Sequence, residues 1–91
     1  MPAYILIPSP LRAQAGGQDS VAVGGATVKA ALADLVGQFP TLQERLFDQG
    51  GGVRRFINLY VNDEDVRFLD DLATPLKDGD TVSIIPAVAG G

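Results

Sequence analysis

The chain has 91 residues and a formal net charge of −4, so one domain is expected, with too few basic residues to track a nucleic-acid backbone. It has no cysteine and no histidine, which excludes disulfides and thiolate metal sites and removes the usual general base. No apolar run approaches the ~20 residues of a membrane span, so the expectation is a soluble cytoplasmic protein that binds no metal and is not an enzyme by itself.

Residues 3–7 read as an apolar strand closed by Pro8 and Pro10. Gly16-Gly17 marks a turn, and residues 20–23 form a second short strand, in reach of a hairpin with the first. After Gly24-Gly25, Thr27 has the position of a helix cap. Val28, Ala31, Leu32, Leu35, Val36 and Phe39 then recur with the spacing of one helical face, which Pro40 ends. Thr41 and Glu44 have the spacing of a capping box for a short second helix.

Gly50-Gly51-Gly52 reads as a hinge-like loop without the Lys and Ser/Thr of a phosphate loop. From Arg55 to Val61 the residues alternate, with Ile57, Leu59 and Val61 on one side and Phe56, Asn58 and Tyr60 on the other. Asn62 to Asp65 suggests a polar turn and residues 66–68 a short returning strand. Residues 72–76 suggest a helical turn, and residues 81–85 a last strand stopped by Pro86. Hairpin, helix and further strands make an α+β pattern, and two apolar terminal strands side by side at the sheet centre would be parallel. That is a β-grasp (ubiquitin-like) fold: a mixed sheet of four to five strands with one main helix on one face.

The domain is expected over residues 1–86, with residues 87–91 as a flexible tail. This tail, Ala87-Val88-Ala89-Gly90-Gly91, is small and uncharged, and extends roughly 16 Å when fully stretched. A frayed end would look the same. A diglycine can also be threaded through a narrow channel, because no Cβ blocks close approach. Its carboxylate could then be activated by a partner without any side chain of this protein.

The ending resembles that of the small sulfur carriers of the MoaD and ThiS type and their ubiquitin relatives. The segments Arg55-Phe56-Ile57-Asn58, Tyr60 through Phe68 and Pro86 through Gly91 are most similar to the carriers of that family that serve cysteine biosynthesis. The resemblance implies that Gly91 is the reactive residue, with Gly90, Ala89 and Val88 threaded beside it. It implies three partners: an E1-like adenylyltransferase/sulfurtransferase that uses ATP, a PLP-dependent cysteine synthase, and a zinc-dependent JAMM-type peptidase. The carrier would hold no cofactor of its own, and no nucleic acid or membrane is implied. The small subunit of molybdopterin synthase, a thiamine-type carrier and a ubiquitin-like modifier conjugated through Gly91 remain alternatives.

Alternation also outlines a partner surface. With Ile5, Ile7, Val82 and Ile84 inward, the outer sheet face carries Tyr4, Leu6, Phe56, Tyr60 and Ile85, too apolar for an idle surface. An inverted first strand would dissolve that patch.

Overall fold

The alternating segments become strands because each can bury one row of side chains and expose the other. The computed structural model describes residues 2–86. Its regular elements are β1 (Ala3–Leu6), β2 (Ser20–Val23), α1 (Val28–Gln38), the single turn α2 (Gln43–Leu46), β3 (Ile57–Val61), β4 (Glu64–Asp65) and β5 (Thr81–Pro86). They form one five-stranded sheet in the order β2-β1-β5-β3-β4. β1 and β5 run parallel, with Ile5 opposite Val82, and every other pair is antiparallel. This is the β-grasp fold, with β5 at the centre.

α1 lies across the inner face. Thr27 caps it, its side-chain oxygen accepting from the Ala30 amide at 3.2 Å. Val28, Ala31, Leu32 and Leu35 are buried against Ile5, Ile7, Leu59, Val82 and Ile84. Each large aliphatic side chain removed from water here contributes about 1.5–3 kcal/mol before entropy is counted. The helix start is stitched to the approach to β5, where the Val28 amide donates to the Thr74 carbonyl at 3.0 Å and the Leu76 amide to the Ala26 carbonyl at 2.9 Å.

Three local expectations are corrected and one element is added. Residues 66–68 are a 3-10 turn, because the Asp65 carboxylate caps the Arg67 amide at 2.9 Å and pulls the chain out of line with β4. Of this segment, only Glu64 and Asp65 pair with β3. Ser9–Ala15 is a 3-10 helix, an element the sequence reading did not assign. Thr41 caps nothing; its hydroxyl donates to the Gln14 carbonyl at 3.4 Å. Finally, Gly50 and Gly52 are not an open hinge, because their amides donate to one Asp48 carboxylate oxygen at 2.9 and 3.1 Å.

Candidate docking face and the root of the tail

β5 delivers the chain to its C-terminal segment from the middle of the sheet, its last residue Pro86 standing opposite Ile57 of β3. Gly91, Gly90, Ala89 and Val88, the residues expected to carry the chemistry, lie outside the described residues. The described part of the site is therefore the surface around this exit.

Strand register arranges the outer face. Leu6 stands opposite Ser83, which stands opposite Tyr60, so these three form a row across β1, β5 and β3. Tyr4 opposite Thr81 lies on one side of that row, and Ile85 opposite Asn58 on the other. Tyr4, Leu6 and Ile85 keep 38%, 43% and 46% of their surface exposed, large fractions for apolar side chains on a central sheet. Tyr60 is half-buried and shares a shallow cleft with Asp63, Ser83 and Ile85. The small Ser83 stands at the middle of the row, between Leu6 and Tyr60.

Phe56 is also exposed, but it belongs to the turn before β3. It lines a groove with Pro10, Leu11, Arg45, Arg54 and Pro86, at the point where β5 ends. The 3-10 helix Ser9–Ala15 builds the opposite wall, with Pro10 in its first turn and Leu11 buried beneath. A second groove follows, lined by Arg54, Arg55, Asn58, Asp65, Arg67 and Asp71 among others. There Arg67 grips Asp65 through both carboxylate oxygens, with the shortest contact 2.6 Å. The Arg67 hydrogen bonds hold the Asp65 carboxyl below the usual carboxylate range and push the guanidinium still higher.

Among the described residues, no group of three or more His, Cys, Asp or Glu could hold a metal ion, and no helix is long and apolar enough to cross a membrane. The described surface offers grooves and an exposed apolar face beside the end of β5. Against that geometry, residues 5–91 match the model of the ThiS family.

The chain belongs to the ThiS family. It is 50% identical to the sulfur carrier protein CysO of Mycobacterium tuberculosis over 93 aligned residues, covering 100% of both chains. It superimposes on a chain in the crystal structure of the Amycolatopsis orientalis BexX/CysO complex with a TM-score of 0.88 and 46% identity, covering 98% of this chain and 99% of that one. It is also 42% identical to small archaeal modifier protein 3 of Haloferax volcanii over 66 residues, 72% of this chain and 71% of that protein.

Sequence reasoning missed two parts of this ThiS-family surface. The groove at the tail root joins residues from three separated segments, Pro10, Arg45 and Phe56, and no local periodicity reports such a meeting. Phe68, 84% exposed, looked like the apolar end of a strand. Its signal was the Asp65 before it, a turn-former two residues from Arg67.

Proposed function

We propose that this protein is a sulfur carrier whose Gly91 carboxylate is adenylated, converted to a thiocarboxylate and used as a sulfur donor in cysteine biosynthesis. The observation that carries the reading is the full-length 50% identity to a protein named sulfur carrier CysO, within a family match that runs through Gly91. The cytoplasm is the compartment this chemistry calls for, since ATP is consumed there.

The steps need nothing from the carrier beyond its chain end. A Gly91 carboxylate oxygen attacks the α-phosphorus of ATP on an E1-like adenylyltransferase/sulfurtransferase and expels pyrophosphate. Sulfide, free or delivered by a sulfur donor at that enzyme, then adds to the acyl carbon, and AMP leaves with the electron pair of its bond. The resulting thiocarboxylate is a nucleophile. On a PLP-dependent cysteine synthase it adds to an electron-poor alkene, and the acyl group then shifts from sulfur to the new amino acid's nitrogen. A zinc-dependent JAMM-type peptidase hydrolyses that amide, releasing cysteine and regenerating Gly91. Gly90 and Gly91 suit a narrow channel, with Ala89 and Val88 filling its mouth. The outer sheet face is where the enzymes would grip the body of the carrier.

The intact mass of the protein, after incubation with ATP, a sulfide source and its host's adenylating enzyme, tests this directly. The expected result is a gain equal to exchanging one oxygen for sulfur, absent when Gly90-Gly91 is deleted and impaired in Gly91→Ala. An enzyme shown to be active that leaves the mass unchanged would overturn the carrier role. A second reading, a modifier joined to lysine through Gly91, is favoured by the 42% identity to an archaeal modifier protein; isopeptide conjugates in place of thiocarboxylate would support it.

A further inference from the structure

The protein is acidic overall, yet its seven basic residues are not spread evenly. Arg45 and Arg54 line the groove that Pro86 enters. Arg54, Arg55 and Arg67 line the next. Arg12 lies at the same end, its Nε donating to the Ile7 carbonyl just beyond β1, at 2.9 Å. The opposite end, where β3 stops and β5 begins, carries Asp63, Glu64, Asp78 and Asp80 against Lys77.

Three of the five arginines have work within the fold. Arg12 donates to the Ile7 carbonyl, Arg54 Nε to the Glu44 carbonyl at 2.7 Å, and Arg67 to Asp65. Arg45 and Arg55 are exposed, and among the described residues their side chains have no hydrogen-bond or ion-pair partner. Arg45 lines the groove of Phe56, itself 45% exposed, and Arg55 lines the adjoining groove, which shares Arg54 and Ile57 with it. Glu44 lines the groove of Arg45 and Asp71 that of Arg55, and Asp65 is taken by Arg67. An exposed aromatic with one uncommitted arginine in its own groove and another in the adjoining one has the composition of an interface.

We propose that Arg45 and Arg55 receive carboxylates of the protein that activates the C-terminus, so that an acidic rim on that partner seats this end of the carrier around Phe56. The inference rests on the carrier reading above. Carboxylates fit better than the phosphates of ATP, because ATP reacts at Gly91, and five residues of chain can carry that atom up to roughly 16 Å from Pro86. Guanidinium groups favour paired contacts to carboxylates, and pairs at an interface rim act mainly on encounter and register.

The test compares two double variants with the same change in net charge, using the full chain and the host's adenylating enzyme. Loading is followed by intact mass against carrier concentration, at about 50 mM and about 300 mM salt, which spans strong to weak screening. Arg45→Glu with Arg55→Glu is expected to raise KM about tenfold or more and abolish its salt dependence, with kcat within about twofold. Lys29→Glu with Lys77→Glu, placed elsewhere, is expected to stay near the wild type. Arg45→Gln with Arg55→Gln should shift KM the same way by less, and thermal melts confirm that each variant folds. Equal KM shifts in both Glu pairs would reduce the effect to net charge and overturn the proposal, as would an unchanged KM and salt slope in the arginine pair. If the wild type itself is not loaded, the carrier reading fails, a result distinct from either of these.

Discussion

Gly25 shows how one residue can fix a junction. Its φ is +145°, and a Cβ built there would stand 2.8 Å from the Ala31 amide nitrogen and 2.9 Å from the Ala30 carbonyl carbon. Both are backbone atoms of α1, so no side-chain rotation relieves the clash. Gly25→Ala is expected to cost about 1–3 kcal/mol through strain at this site, read as a lower urea midpoint with an unchanged slope. Asp80 is the residue where pH should be felt. Its carboxylate accepts from the Lys77 amide and from Asn62 Nδ2, each at 2.8 Å, and Asn62 Oδ1 accepts in turn from the Thr81 amide at 3.0 Å. The Lys77 amide first, and then Asn62, hold the Asp80 carboxyl below the ordinary carboxylate range. A carboxyl depressed in the folded state contributes stability above its unfolded value, and that contribution is lost as pH falls through the folded value. Asp80→Asn should therefore flatten the fall in Tm below about pH 5, while an identical slope in both proteins would show that this clamp does not carry it.

At the scale of elements, the central strands separate two jobs. The inward rows of β1, β3 and β5 make the core, and the outward rows leave Tyr4, Leu6, Tyr60 and Ile85 for contact. The edges are blunted: β4 has two residues, and the Gln38 side chain donates to the Ala22 carbonyl of β2 at 3.1 Å. A partner is thus steered towards the face and away from strand addition. Leu6 is a clean probe of that face, since Asp at position 60 would stand opposite Asp65 and mix repulsion within the sheet with loss of docking. Leu6→Asp is expected to raise KM for loading about tenfold or more, since a central apolar anchor is worth 1–2 kcal/mol or more. An unchanged KM would remove the outer face from the docking surface. The features legible in the sequence were those with a long period. The stripe Val28, Ala31, Leu32, Leu35 gave α1, and the alternation through β3 and β5 set which residues face outward. What stayed hidden depended on single hydrogen bonds. Val66-Arg67-Phe68 alternates like a strand, but the Asp65 cap turns it into a helical corner. The glycines at 50–52 look loose, but Asp48 gathers their amides. The tail-root groove was invisible for a different reason, since its walls meet only once the sheet has closed.

For the whole molecule, the described fold and the proposed reacting group occupy separate stretches of chain. The core cluster runs from Ala3 to Ile84, and β5 ends at Pro86. Removing residues 87–91 therefore takes away none of these core residues and none of the described strands, and the truncated protein is expected to melt within about 2 °C of the full chain, a shift that for a domain this size corresponds to less than ~0.5 kcal/mol. On the proposed mechanism it should be wholly inactive in sulfur loading, because the Gly91 carboxylate is gone. The outer face and the tail root would remain intact, so the truncated protein should still occupy the activating enzyme. Added to a loading reaction, it is expected to inhibit competitively against the full chain, with an inhibition constant within about tenfold of the wild-type KM, the gap measuring what the threaded tail adds to affinity. Failure to inhibit at high excess would place nearly all recognition in the last five residues, and the folded body would then serve only to present them.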